Sequence, residues 1–257
     1  GQGGGAGTTG LVNTGAVGET SAIIGDQRDN RANRGVSDFD RTHRFVLSGL
    51  WELPSPGFVK DSTAGRLIFD GWQIGGVVTV MSGLPIDIVD TGAGSFYGLS
   101  GGGAALARPN FAPGPTRENA AGAAPRGYFF NPFAFARPVV QANQPIPSSG
   151  GVAIAGAVGT DIGAVGRSIL RGPRQKNTDF SVIKRFRVSE SKNVEFRAEF
   201  FNLFNQVNLA NPISDLNAVL ASGGSLDANG NIVNPGSFGR IISATNNPRL
   251  IQFALKF

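Results

Sequence analysis

The sequence predicts an all-β chain of antiparallel strands, and three observations carry that prediction. Residues 179–205, DFSVIKRFRVSESKNVEFRAEFFNLFN, hold two runs of alternating apolar and charged residues joined by a short polar stretch, the pattern of a β-hairpin. Residues 249–257, RLIQFALKF, alternate again, with Ile251, Phe253, Leu255 and Phe257 on one side and Leu250, Gln252, Ala254 and Lys256 on the other. No apolar run reaches the roughly 18 residues of a membrane-spanning helix.

In chain order, residues 1–36 are Gly-, Asn- and Thr-rich and read as a loop or disordered terminus. After a polar turn at Ser37–Asp40, Arg41–Leu53 is the first strand. It sets Phe45, Leu47, Gly49, Trp51 and Leu53 on one face against Arg44, Val46, Ser48, Leu50 and Glu52 on the other. Trp51 falls near its end, where an interfacial aromatic belongs. Pro54 stops the strand, and residues 55–70 are a connector. Gly71–Ser82 is the second strand, with Trp72, Ile74, Gly76, Val78 and Val80 opposed to Gln73, Gly75, Val77, Thr79 and Met81. Its glycines predict a bulge, a bend or close approach of another segment. Gly83-Leu84-Pro85 breaks the strand before Ile86–Val89.

From about residue 90 to 177 the periodicity is lost and Gly, Ala, Pro and Asn dominate, which predicts a long loop. Within it, Tyr128–Phe135 is an aromatic island; packing of the loop on itself accounts for it best, ahead of brief strand pairing or ligand contact. GAVGRSILRGPR in 163–174 lacks the GxxxxGK[ST] spacing of a phosphate-binding loop. The hairpin follows, with Phe180, Val182, Phe186 and Val188 on one face, Asp179, Ser181, Arg185 and Arg187 on the other, and Ile183 and Lys184 as exceptions. On its second strand Val194, Phe196, Ala198 and Phe200 alternate with Glu195, Arg197 and Glu199. Ser189–Asn193 is the turn, and pairing 188 with 194 predicts Phe186 opposite Phe196 and Arg187 opposite Glu195. Residues 206–247 form a second long loop, with turn signals at Asn211-Pro212 and Asn229-Gly230 and a stretch at Phe238–Ile242 expected to extend the last hairpin.

Two solvents impose this alternation. In a soluble sandwich, the commoner solution, the apolar face packs on a second sheet. In a membrane barrel it meets lipid, and spanning strands run about 9–11 residues. The hairpin alone fits both.

The ending on Phe257 resembles the closing strand of outer-membrane β-barrels, whose terminal aromatic is read by the barrel-assembly machinery. R-GP-----D-S--KRF in Arg171–Phe186, FRAEFFNLFN in Phe196–Asn205 and PRLIQFALKF at the end resemble the C-terminal part of TonB-dependent outer-membrane receptors of the large Oar-like type, which carry a carboxypeptidase-regulatory-like domain. SDFDRTHRFVLSGLWELP in Ser37–Pro54 and GWQIGGVVTVMSGLPIDI in Gly71–Ile88 fit the same family. The similarity runs from about residue 35 to the end.

That resemblance implies an antiparallel transmembrane β-barrel portion over 37–257, an incomplete barrel of about five spanning strands with long extracellular loops, in the cell outer membrane of a Gram-negative-type bacterium. Phe253, Leu255 and Phe257 would form the C-terminal assembly signal. Phe45, Leu47, Trp51, Trp72, Ile74, Val78, Val80, Phe180, Val182, Phe186, Val194, Phe196, Phe200 and Ile251 would face lipid. Arg44, Glu52, Gln73, Arg185, Arg187, Glu195, Arg197, Glu199 and Gln252 would face the lumen. The terminal strand ends on the periplasmic side, so alternation places 189–193 at a periplasmic turn and 90–177 and 206–247 outside. The implied activity is import of a scarce substrate, a metal chelate or oligosaccharide, with TonB acting through a plug region outside this sequence. The implied partners are outer-membrane lipid, the assembly machinery, TonB and an imported ligand. A structural or adhesive barrel and a soluble secreted β-rich domain are the competing readings.

Composition bounds the rest. The 257 residues begin on Gly rather than Met, and the expectation is a piece of a longer protein. No Cys is present, which removes disulfides, thiolate metal sites and a cysteine nucleophile. A net charge of +5 and pI near 10.1 come with only 16% charged residues and scattered Arg, a poor footprint for nucleic acid. His43 is the sole histidine, too little for a triad or His-rich zinc site. Asp38 with Asp40 and Asp87 with Asp90 read as turn carboxylates bonding backbone. No enzyme activity, cofactor or metal is expected.

Overall fold

A computed structural model describes residues 23–24, 26, 31, 34–57, 62–99, 105–122, 124–189 and 192–257. The expectations for most of residues 1–36 therefore lie outside the described residues. The chain forms two compact units: residues 41–82, 174–209 and 244–257 make one, and residues 1–40, 83–173 and 210–243 the other.

The first unit is a five-stranded antiparallel sheet in the order β5-β4-β3-β2-β1. Its strands are β1 (Arg44–Glu52), β2 (Trp72–Met81), β3 (Gln175–Ser189), β4 (Lys192–Phe201) and β5 (Leu250–Lys256). These are the alternating stretches of the sequence, with ends displaced by a few residues. Every strand pairs with its neighbours antiparallel, and the sheet is open, with β1 and β5 at its edges.

Four expectations are corrected. The hairpin pairs Phe186 with Val194, Arg185 with Glu195 and Lys184 with Phe196, because it closes between Ser189 and Lys192 with an irregularity at Arg187/Ser189. The true register differs from the expected one by two residues, so partners change while every side chain keeps its face. The glycines of β2 mark no bulge, since pairing runs unshifted through Gly75 and Gly76 to both neighbours. The connector before β2 holds a helix, α1 (Thr63–Phe69), whose N-cap Ser62 accepts a hydrogen bond from the Gly65 N–H at 3.1 Å. Phe238–Ile242 adds no strand to the last hairpin; Phe238 is fully buried in the other unit.

Gly71 links α1 to β2 at φ +69°, and its amide carbonyl accepts from Arg185 N–H at 2.9 Å. A Cβ there would run into the Arg185 carbonyl oxygen, so only glycine fits both the left-handed backbone and the close approach.

The second unit replaces the expected structureless loop. Residues from both long connections build one core containing Ile86, Ile88, Val165, Leu216, Val219 and Ile232 around three rings. Phe130, Phe135 and Phe238 meet edge to face with centroids 5.1–5.9 Å apart, and Phe111 stacks on Phe135 at 5.7 Å. Two-residue pairings and the short helices α2 (Arg117–Gly122) and α3 (Ala218–Ala221) carry little regular structure. The apolar residues are dispersed along the chain, so no periodic signal marked them.

Candidate functional site

The candidate surface is the sheet, whose two faces are chemically distinct. Alternation within strands and register between them put Phe45, Leu47, Trp51, Trp72, Ile74, Val78, Val80, Phe180, Val182, Phe186, Val194, Phe196, Phe200 and Ile251 on one face. Trp51, Ile74, Val182, Ala198 and Phe253 stand in a single cross-strand row. Phe180 and Phe200, directly opposed, have centroids 6.2 Å apart. On the edge strands Phe45, Leu47, Trp51, Phe253 and Leu255 are each more than half exposed (58, 60, 59, 66 and 56%). A sandwich would bury these side chains on a second sheet, and among the described residues every other sheet has only two strands.

Lys184 interrupts this face. Its ammonium lies 5.0 Å from the Trp72 ring centroid and 5.3 Å from that of Phe186, and donates to the carbonyl oxygens of Ile68 and Asp70 at the end of α1. The aromatic rings and carbonyl oxygens together satisfy a cation on an otherwise apolar surface.

The opposite face gathers Arg44, Glu52, Gln73, Arg185, Arg187, Glu195, Arg197, Glu199 and Gln252. Arg185 donates to Glu195 at 3.0 Å and lies 3.8 Å from Glu52; Arg197 reaches Glu195 at 2.9 Å and Glu199 at 3.5 Å. Gln73 donates to Glu52 at 3.4 Å. The result is a ladder of alternating charge from β1 through β3 to β4, with the neutral Gln73 of β2 bonded to its Glu52 end. The face is not uniformly polar, since Val46, Leu50, Val77, Phe201 and Leu250 also lie on it and are exposed. Near its long-connection end, a groove of about 500 Å³ is lined by Thr79, Lys176, Asn177, Asp179, Asn202 and Asn208 among others. Asn202 Nδ2 donates to the Gln206 and Asn247 carbonyls and Asn208 Nδ2 to that of Lys176, which holds the groove wall.

At the C-terminus Phe253 and Leu255 belong to β5, whereas Phe257 lies one residue beyond it and is 89% exposed.

In the second unit, Arg137 grips Asp90 with two bonds, Nε to Oδ2 at 2.9 Å and NH2 to Oδ1 at 2.7 Å, and also donates to Asn217 at 3.0 Å. Asp215 accepts from Thr91 and Asn217, yet burial raises its carboxyl above the ordinary range. Burial likewise raises Asp87, against the Ser168 amide that bonds it. Asp38 pairs with Arg167 and Asp40 with Arg171, while Asp87 and Asp90 accept the backbone amides of Ser168 and Gly92, as expected of turn carboxylates. A cavity of about 290 Å³ lies among Asn110, Val140, Ser148, Asp161 and Ile162.

His43 precedes β1 and is exposed; its amide donates to Ser82 Oγ at 3.1 Å. Among the described residues no three or more His, Cys, Asp or Glu side chains gather as a metal site, and no helix is long and apolar enough to cross a membrane, which leaves crossing by strands untouched.

Sequence reasoning missed α1, the second unit's core and the Arg137–Asp90 pair. Ser62 ahead of TAGRLIF was a usable N-cap signal for α1; the other two depend on residues far apart in the chain.

The family model described as an outer membrane beta barrel domain matches residues 6–252. No curated protein and no solved structure matches the chain.

Proposed function

This chain belongs to the outer membrane β-barrel domain family, and from that premise we propose that it is barrel wall of a TonB-dependent transporter importing a scarce substrate. Its place is the bacterial outer membrane, and its fold is antiparallel β with spanning strands. The observation that carries the reading is the two-faced sheet. Its exposed apolar side suits lipid, and its charge ladder and carboxamide-lined groove suit a hydrated lumen.

Short and long connections alternate along the sheet. Residues 53–71 and the tight hairpin at 189–192 join strands at one end, while the connections folded into the second unit join them at the other. Short turns are periplasmic in such barrels, so the second unit is the extracellular part, and its cavity is where an incoming ligand would be met. Asn and Asp side chains in both hollows, joined by Ser148 in the cavity, favour a hydroxyl-rich or chelated ligand over an apolar one. TonB acts through a plug region, the barrel-assembly machinery reads the C-terminal strand, and the chain itself catalyses no reaction.

Deleting the gene and offering cells labelled oligosaccharides and ferric chelates tests this. Loss of uptake of one ligand, reproduced by deleting TonB, is the expected result; uptake unaffected by either deletion would contradict transport.

A further inference from the structure

At the short-connection end of the sheet, β3 runs on past Trp72, the last β2 residue it pairs with, through Phe186 and Arg187. Beside this extension lies an open groove of about 500 Å³, lined by Arg66, Leu67, Asp70, Arg185, Phe186 and Arg187 among others. Arg185 is already engaged by Glu195 and Glu52. Asp70 accepts from Ser55 Oγ at 2.6 Å and from the Gly71 amide at 2.7 Å. Arg66 and Arg187 are exposed and have no ion pair among the described residues. The groove therefore carries two exposed guanidinium groups, Arg66 and Arg187, against the single carboxylate of Asp70, which the Ser55 and Gly71 hydrogen bonds and then Arg66 help hold in its charged form.

Leu67 and Phe186 are the groove's apolar lining. Leu67 and the next two residues of α1, Ile68 and Phe69, are exposed at 56, 58 and 46%. The end of α1 is fastened to the apolar face of the sheet: the Ile68 carbonyl accepts from Trp72 Nε1 at 2.7 Å and from Lys184 Nζ at 3.2 Å. The exposed apolar residues of α1 thus continue the Trp72–Phe186 surface, and the arginines sit at its rim. Apolar side chains beside an excess of exposed cations at a membrane boundary match a phospholipid, acyl chains against the first and phosphate against the second.

We propose that this groove binds the headgroup of an anionic phospholipid of the periplasmic leaflet, with Arg66 and Arg187 on the phosphate and Leu67 and Phe186 against the acyl chains. The proposal rests on the outward-facing apolar side and on the short connections being periplasmic. Arg187, assigned by parity to the lumen face, reaches the groove because β2 has ended and leaves that edge of β3 open.

The test is native mass spectrometry of the delipidated full-length protein, titrated with dioleoylphosphatidylglycerol or dioleoylphosphatidylcholine. One phosphatidylglycerol should be retained preferentially, and Arg66→Gln and Arg187→Gln should each cut that preference about fivefold. Both side chains are exposed, and unchanged heat-modifiability on gels would confirm folded variants; Arg66→Gln alone suffices if Arg187→Gln misfolds. Equal retention of the two lipids, or a preference untouched by the substitutions, would overturn the site while leaving the barrel intact. Displacement of the bound lipid by glycerol 3-phosphate would overturn the lipid in favour of a soluble phosphate. A failure of the barrel reading is separate, and shows as absence of the protein from the outer-membrane fraction.

Discussion

Phe196 of β4 and Phe253 of β5 stack across neighbouring strands, their ring centroids 6.1 Å apart and their planes 17° apart. The pair lies on the apolar face, and next to Phe196 in the chain Arg197 points the other way into the charge ladder. Neighbouring positions therefore answer oppositely to a cation. Phe196→Arg or Val78→Arg should cost about 2–4 kcal/mol of folding free energy in lipid vesicles, the range for Arg near mid-bilayer, whereas Thr79→Arg or Arg197→Ala should change little. Comparable folding yields for both sets would reverse the face assignment.

How the sequence announced these features depends on where their partners lie. A strand of an open sheet takes its face from its own period of two, so Phe45 through Glu52 and Val194 through Phe200 could be read residue by residue. Register depends on the turn, and the hairpin closed between Ser189 and Lys192 instead of around the whole polar stretch Ser189–Asn193, shifting the register by two residues and exchanging Arg187 for Arg185 as the partner of Glu195. The second unit was illegible for a different reason. Phe130 and Phe135 come from one connection and Phe238 from the other, with no shared period, and only their meeting makes a core. The Tyr128–Phe135 island hinted at it, and its Phe130 and Phe135 are indeed packed inside.

That core predicts a stable unit, reachable from outside the cell on the proposed topology. Arg137→Ala strands the buried Asp90 carboxylate and should cost the unit about 3–5 kcal/mol; Phe135→Ala should cost a similar about 3–5 kcal/mol through the cavity it leaves. Thermolysin added to whole cells should then cut within 83–173 far faster than in the parent. Unchanged digestion would mean the core does not hold the connections together.

Acid should act on the same unit with a definite sign. Asp87 and Asp215 are raised in the folded state by burial, so their contribution is unfavourable above the folded pKa and is relieved as pH falls through it toward the unfolded value. Amide exchange in 85–91 and 213–219, corrected for its intrinsic pH dependence, should slow on mild acidification, and Asp215→Asn should weaken the response. Exchange that accelerates equally in parent and variant would contradict this.

The ends of the sheet differ in accessibility if the short connections are periplasmic. An epitope inserted at Gly150, in an exposed turn at φ +82°, should label on intact cells, while one at Asn193 should label only after permeabilisation. The reverse pattern would invert the topology and relocate the phospholipid groove to the outer leaflet.

A strand that fails to pair leaves backbone groups unsatisfied in hydrocarbon at several kcal/mol each. Phe257→Asp, or deletion of Phe257, should lower outer-membrane levels, and Lys256→Gln should not; equal levels in quantitative blots would remove Phe257 from assembly.

The account stands on one face of the sheet meeting lipid and the other water, and β4 reports both. Because the chain has no cysteine, nitroxide labels can be placed singly from 194 to 200 in a cysteine-free background of the protein folded in vesicles. Collision with oxygen, which concentrates in lipid, should peak at Val194, Phe196, Ala198 and Phe200, and collision with a water-soluble nickel chelate at Glu195, Arg197 and Glu199. A profile without a period of two, or one with the peaks exchanged, would contradict it.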